Sequence, residues 1–182
     1  MISEAKEELL KGIVDLEMKF FQNMKTAEAI PENTLPALRR MRWMTYSCLS
    51  DNTLILLLRD LTQHEEEGRN PMIEKYALID GLIPTIQENE KIGMIVEQEV
   101  AWMEEVAKKY PKTVQGHDSN KALFGHYMSC ELQSWDPETL DSYYNDIVVA
   151  KSQGKNLAEV RYDNLYESLG KGSLKEVSDS LQ

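Results

Sequence analysis

The chain repeats itself at an offset of 86 residues, and this feature limits its fold more than any other. Without gaps, that offset gives six identities in the 24-residue window 53–76. The identical pairs are Thr53/Thr139, Leu54/Leu140, Asp60/Asp146, Gly68/Gly154, Asn70/Asn156 and Tyr76/Tyr162. The match continues upstream more weakly, where Leu16 falls opposite Trp102. We predict two degenerate copies, at residues 5–83 and 90–171.

Within each copy the apolar residues recur every three or four positions, which is typical of amphipathic helices. The clearest case is the run Leu54, Leu57, Leu58 and Leu61. No stretch alternates apolar and polar residues between hairpin turn signals, so we expect no sheet. The sequence therefore predicts an all-α fold, a compact single-domain bundle over residues 1–182. It would be built from two tandem four-helix repeats related by a pseudo-twofold axis, with residues 172–182 as a frayed tail.

Both copies carry the same signals at the ends of their third helix. Ser50 and Asp136 offer side-chain acceptors at the N-cap position. Gly68 and Gly154 can adopt the positive φ that ends a helix, and the asparagine two residues later can cap the next helix. These shared signals predict a tight corner between the third and fourth helices of each copy.

The net charge of −11, from 31 acidic and 20 basic residues, limits the partners of this chain. Binding to a nucleic acid or an anionic membrane requires a basic surface, so we expect neither as a partner. The sequence has no apolar run long enough to span a bilayer and no secretory signal, so we expect a cytoplasmic protein. Cys48 and Cys130 lie far apart and outside any metal-binding spacing, so we expect both to be reduced.

Residues 39–42 contain three arginines, Arg39, Arg40 and Arg42. At the 86-residue offset their counterparts are Gly125, His126 and Met128, so the second copy has no arginine or lysine there. Arg39 and Arg42 are spaced to share one helix face, which suits a carboxylate or phosphate ligand. The alternative is that they pair with acids of the protein itself, among them Glu17, Glu104 and Glu105. The sequence leaves both interpretations open.

Residues that occur in both copies are more easily explained by the scaffold. Asp60 and Asp146 are expected to bond the following corner, at Arg69 or Lys155, or a helix N-terminus. A two-carboxylate site at the pseudo-twofold axis is the alternative. Facing carboxylates can hold a pair of metal ions, but such bundles use Glu-x-x-His pairs, and the sequence has none. We therefore expect no metal site and no cofactor.

Several motifs resemble a bacterial and archaeal family of unknown function, number 4125. They are Glu17-Met18-x-Phe20, Thr34-Leu35-x-x-Leu38-Arg39 with Trp43, Gly68-Arg69-Asn70 with Glu74-Lys75-Tyr76-Ala77, Trp102-x-Glu104-Glu105 with Tyr110-Pro111, Glu131-Leu132, and Gly154-Lys155-Asn156-Leu157. The sequence departs from that pattern at Leu16, where Trp is expected, and at Leu35, where Phe is expected. The resemblance implies a helical, cytoplasmic protein and transfers no catalytic residue.

The leading hypothesis is a helical binding module for a protein partner or a small anionic ligand, with the oligomeric state left open. One alternative is an enzyme or enzyme subunit in which Arg39 or Arg42 orients an anionic substrate and a buried glutamate is the general base. Another, by analogy, is a helical companion of a nucleotidyltransferase. The candidate ligand-binding residues are Glu17, Arg39, Arg42, Trp43, Asp60, Arg69, Tyr76, Trp102, Glu105 and Glu131.

Overall fold

The computed structural model describes residues 1–24, 31–114 and 121–181, and their regular structure is entirely helical. The α-helices are α1 Glu4–Gln22, α2 Leu35–Ser47, α3 Asp51–Glu66, α4 Pro71–Ile79, α5 Glu90–Lys109, α6 Lys121–Leu132, α7 Pro137–Ser152, α8 Leu157–Ser168 and α9 Leu174–Ser180. A short 3-10 helix, Glu32–Thr34, precedes α2. The prediction of an all-α fold is confirmed.

The helices pack within and between the two halves of the chain. In the first half α1 contacts α2, α3 and α4, and in the second half α5 contacts α6, α7 and α8. Between the halves, α3 packs on α7, α4 on α6 and α2 on α8. One hydrophobic core runs through both halves. The internal repeat and its twofold axis stay a prediction.

Two aspartates, the buried Asp60 and the half-buried Asp146, each bond to the start of the third helix of the other half. Asp60 of α3 accepts hydrogen bonds from the N–H of Asp136, at 3.0 Å, and from the hydroxyl of Thr139, at 2.6 Å. Asp146, 86 residues after Asp60, makes the corresponding pair of bonds. It accepts from the N–H of Ser50, at 3.0 Å, and from the hydroxyl of Thr53, at 2.7 Å. Each carboxylate thus satisfies a free N–H at the N-terminus of the partner helix. Of the partners expected for Asp60 and Asp146, the structure shows a helix N-terminus, and not the basic residue of the following corner.

The buried faces of α1 and α5 correspond at an offset of 82 residues, and not at 86. The buried pairs at this offset are Leu10/Ile92, Ile13/Ile95, Glu17/Glu99 and Phe20/Trp102. The difference of four residues is about one helical turn, so the wrong register still places apolar residues on one face. The burial pattern therefore favours Phe20, and not Leu16, as the residue that corresponds to Trp102.

The corners and the C-terminal end follow from local capping. Gly68 has φ 69° and Gly154 has φ 65°, as predicted for glycines that end a helix. The expected frayed tail is not what the structure shows, because Leu174–Ser180 form α9. Ser173 and Glu176 make a reciprocal capping box, and the side chain of Leu174 is fully buried. The apolar anchor and the cap together hold this last helix on α8.

We predict that Asp60→Ala lowers the free energy of unfolding by about 1.5–3 kcal/mol, because it removes a charged acceptor from two bonds between helices. Asp146→Ala should have a similar effect. Urea unfolding followed by circular dichroism measures both. The matched control is Asp141→Ala, an exposed position on α7. A cost for Asp60→Ala no larger than that of the control would contradict a cross-linking role.

Candidate functional site

A cavity of about 440 Å³ lies inside the bundle, and α2, α4, α5, α6, α7 and α8 all contribute to its wall. Most of the lining is apolar and flexible or aromatic. These residues are Met41, Met44, Met103, Phe124, Tyr127 and Met128. We call it the central cavity. Its volume falls within the roughly 300–1,000 Å³ that is common for small-molecule sites.

A network of charged side chains forms one part of the cavity wall. The Arg42 guanidinium donates to both oxygens of Glu17, at 2.7 and 2.9 Å, and to Glu131, at 2.5 Å. The Lys75 ammonium donates to the other oxygen of Glu131, at 2.6 Å. The Tyr46 hydroxyl donates to Glu17, at 2.5 Å. We call these five residues the Arg42 cluster; they join α1, α2, α4 and α6.

A second buried ion pair lies on another part of the same wall. Arg161 of α8 holds Glu99 of α5 in a two-bond fork, at 2.5 and 2.7 Å. The Tyr143 hydroxyl donates to the same carboxylate, at 2.6 Å, and the Arg161 Nε donates to the carbonyl of Thr45, at 3.0 Å. We call Glu99, Tyr143 and Arg161 the Arg161 cluster. Fork geometry of this kind fixes orientation as well as distance.

Trp135 lies between the two clusters. Its ring centroid is 6.2 Å from that of Tyr46 and 5.7 Å from that of Tyr143, distances typical of packed aromatic pairs. The indole is buried and lines the central cavity. An aromatic wall therefore separates the two charged networks and holds both phenols in place.

The protonation states in the clusters follow from burial and from neighbouring charge. Burial alone would raise the pKa of Glu131, but the positive charges of Arg42 and Lys75 outweigh it and hold the pKa well below its usual range. Burial raises the pKa of Tyr46 and of Tyr143 far above the usual value. Both phenols therefore stay protonated at neutral pH and donate to carboxylates. Glu131, in contrast, is a weak base in this setting and a poor proton acceptor.

Three of the candidate residues from the sequence come together in the Arg42 cluster: Glu17, Arg42 and Glu131. Arg39 is separate from them, since it is half-exposed and donates to Asp15 at 2.7 Å. Arg40 is exposed. The three arginines at 39, 40 and 42 therefore do not form a single cationic face. Only Arg42 reaches the cavity, and acids of the protein already engage it.

The other candidate residues lie outside the central cavity. Trp43 donates its indole N–H to Glu7, Trp102 is a core residue whose carbonyl accepts a bond from Asn156, and Tyr76 is partly exposed beside Lys75. Arg69 forms a fork with Glu74 at the corner between α3 and α4. The exposed Glu105 accepts a bond from Asn156, and Glu104 pairs with Lys121 at 2.8 Å.

Sequence reasoning missed five residues of the two clusters, namely Tyr46, Lys75, Glu99, Tyr143 and Arg161. Two signals for them were present. Lys75 and Arg161 are basic residues at the 86-residue offset, and Glu99 follows Glu17 at the 82-residue offset that the buried faces of α1 and α5 obey. A comparison of the copies that allowed gaps would have paired the two buried glutamates.

A family model described as "Protein of unknown function (DUF4125)" matches residues 7–179. The chain belongs to the DUF4125 family. The matched range contains both charged clusters and the whole central cavity. No curated protein and no solved structure gives a significant match. Membership of DUF4125 supplies no activity, so the chemistry of the site has to be argued from its residues.

Over residues 1–24, 31–114 and 121–181, no group of three or more His, Cys, Asp and Glu side chains is arranged to hold a metal ion. Within the same ranges, no helix combines the length and apolar character that crossing a bilayer requires.

We predict that Glu131→Gln costs about 3–5 kcal/mol of unfolding free energy at neutral pH, because it leaves Arg42 and Lys75 buried with one carboxylate fewer. The folded-state pKa of Glu131 lies below its ordinary value of 4.5, so its stabilising contribution is present above that value. That contribution declines as the pH falls further, since the unfolded chain then binds a proton that the folded chain does not.

The stability gap between wild type and Glu131→Gln should therefore be nearly constant above about pH 5.5 and narrow towards pH 3.5. Urea unfolding across this range measures it. Glu97→Gln, at an exposed position of α5, serves as the matched control. A gap that stays the same at all pH values would show that the ion pairs of Glu131 do not set its pKa.

Proposed function

We propose that this protein is a helical binding module that takes a small molecule with an apolar body and a carboxylate end into the central cavity. The observation that carries the proposal is the combination of a cavity of about 440 Å³ with spare cationic donors on its wall. The candidate residues Arg42 and Glu131 belong to this site, whereas Arg39 belongs to a surface ion pair.

The apolar part of the wall suits a hydrocarbon or aromatic body. Four methionines line the cavity, and their unbranched, polarisable side chains adapt to ligands of different shape. Phe124 and Tyr127 of α6 add aromatic surface on the same wall. Met41 and Tyr127 are also partly exposed, so the apolar lining continues to the protein surface. A ligand can therefore keep contact with apolar side chains from the surface to the charged wall.

Most of the unused hydrogen-bonding capacity of the charged wall consists of donors. Lys75 has three N–H groups and, among the described residues, gives one of them to an acceptor, Glu131. The Nη1 atoms of Arg42 and Arg161 each use one of their two N–H groups in the same way. The oxygens of Glu99 and Glu131 all accept at least one bond already. The wall therefore complements an acceptor, and a carboxylate is the strongest small organic one.

The depth of the donors favours a small molecule over an acidic segment of a protein partner. The side chains of Arg42 and Lys75 are each only 11% exposed, so a flat protein surface would not reach them. General-base catalysis receives less support, because the pKa of Glu131 is held low by its two cationic partners. Binding is therefore the function that the geometry supports best.

The proposal is tested with octanoate, 1-octanol and octylamine, which share an apolar chain and differ in the polar end. We expect octanoate to raise the melting temperature, with a stabilisation of about 2.7 kcal/mol at one hundred times its dissociation constant. Octanol should bind at least about tenfold more weakly, which corresponds to the roughly 1.4 kcal/mol of one charge-assisted bond. Thermal shift and isothermal titration calorimetry measure both effects.

Three variants assign the binding to the cavity. Lys75→Gln should reduce octanoate affinity to the level of octanol, and Met128→Trp, which fills the cavity, should abolish binding of both. Arg40→Gln, at an exposed position on the same helix as Arg42, should change neither. Tighter binding of octylamine than of octanoate, or unchanged octanoate affinity in both Lys75→Gln and Met128→Trp, would overturn the proposal.

A further inference from the structure

A second, smaller cavity of about 250 Å³ opens at the C-terminal end of α3. Its wall comes from the last turns of α3, the corner before α4, the connection at residues 80–89 and the segment between α6 and α7. We call it the His64 recess. Trp135 contributes to this recess as well as to the central cavity. We propose that the His64 recess binds a small organic cation that carries N–H donors, such as a primary amine.

The imidazole of His64 is the first reason for this proposal. His64 is 6% exposed and lines the recess, and its Nδ1 has no hydrogen-bond partner among the described residues. A buried polar atom without a partner costs about 1–3 kcal/mol, so such atoms are rare in folded proteins and call for an explanation. A ligand that bonds this nitrogen would remove the cost.

The scaffold does not require a histidine at this position. Asp60 lies four residues before His64, and Asp146 lies four residues before Ala150. Each aspartate accepts one bond from a backbone N–H and one from a threonine hydroxyl of the other half. Ala150, 86 residues after His64, is also buried, at 4% exposure, in the last turns of α7. An alanine thus fills the corresponding place between equivalent aspartate contacts. The imidazole is an addition that packing alone does not explain.

The recess is larger than a single bound water needs. One water occupies about 10–15 Å³ of such space, whereas the recess offers about 250 Å³. That volume is sufficient for an organic molecule of several heavy atoms. Its wall is also polar enough to hold one in a fixed orientation, because side-chain amides of Gln63, Gln87 and Gln133 contribute to it.

Three free groups on the wall are acceptors, namely the His64 Nδ1 and the side-chain oxygens of Gln63 and Gln87, and they favour a ligand with donors. The amide nitrogen of Gln63 donates to Glu67, and that of Gln87 donates to the carbonyls of Gln133 and Trp135. These bonds fix the amide orientations and leave the oxygens of Gln63 and Gln87 without a donor among the described residues. Burial and the nearby Arg69 guanidinium lower the pKa of His64, so its ring is neutral at pH 7 and can accept a bond.

The charges around the recess point to a cation. Two carboxylates, those of Asp60 and Asp136, and one guanidinium, that of Arg69, line the recess. The ion pairs that extend from these residues add Arg59, Glu67, Glu74 and Glu138, so acids outnumber bases in the connected set. Arg69 is held in a fork by Glu74, and Arg59 by three acids. An anion would meet a surplus of negative charge, whereas an ammonium would reduce it. The site thus differs from the central cavity in both size and charge preference.

The test uses propylamine, tetramethylammonium and propionate as probes of the wild-type protein at pH 7.5. Tetramethylammonium has the charge of propylamine and no N–H donor, and propionate has the opposite charge. Two-dimensional NMR of the imidazole ¹⁵N nuclei follows His64 directly, with His64→Ala assigning its signals. We expect propylamine to cause a saturable shift of the His64 Nδ1 resonance. Tetramethylammonium should bind with at least tenfold lower affinity, and propionate should cause no shift. The ring signals of the exposed His126 should not change.

Calorimetry with His64→Ala should show at least a tenfold loss of propylamine affinity. We expect this variant to keep the fold, because the position 86 residues later holds a buried alanine, Ala150, and urea unfolding checks that. Arg40→Gln, at an exposed position of α2, should bind propylamine as the wild type does. The proposal is wrong if propylamine gives no saturable shift, if tetramethylammonium or propionate binds equally well, or if His64→Ala keeps wild-type affinity.

Discussion

The Arg42 guanidinium holds carboxylates from both halves of the chain, and the centre of the bundle is arranged around it. Glu17 comes from α1 and Glu131 from α6, and Lys75 of α4 completes the group. Taking such charges out of water is costly, and it is offset only when every charged atom finds a close opposite partner. The helices that carry these side chains are therefore fixed relative to one another within the tolerance of a hydrogen bond.

The same requirement explains why the cavity can persist beside the core. Helices packed by apolar contacts alone would gain by closing over an open volume of this size. The clusters oppose that movement, because closing α2 or α6 inward would lengthen or bend the bonds to Glu17 and Glu131. Trp135, packed between Tyr46 and Tyr143, adds aromatic bulk between the two clusters. A rigid polar frame beside adaptable methionines is an arrangement that suits a binding site.

Much of the fold could be predicted from the sequence because its signals are local. The Ser50 and Asp136 caps and the glycine corners depend on residues within one turn of each other. The capping box that begins α9 was also visible, as Ser173 followed three residues later by Glu176, and composition alone was a poor reason to expect a frayed end. Local chemistry outweighed the polar character of that segment.

The site was only partly predictable because its contacts join residues far apart in the chain. Arg42 could be singled out from its one-sided position, but its partner Glu131 lies 89 residues away. Glu99 was hidden by a shift of one helical turn, which leaves the apolar pattern of a helix intact and moves only the polar residue within it. A pattern of apolar residues cannot reveal such a shift, whereas a buried charge can.

The chain as a whole is strongly acidic, yet its two buried clusters are balanced. Arg42, Lys75 and Arg161 face Glu17, Glu131 and Glu99, three cations against three carboxylates. The excess of acids is therefore carried outside these clusters, where water and salt screen it. It follows that net charge does not decide what the central cavity prefers. The preference depends on which hydrogen-bonding groups remain unused after the internal pairs have formed, and donors are the majority of those groups.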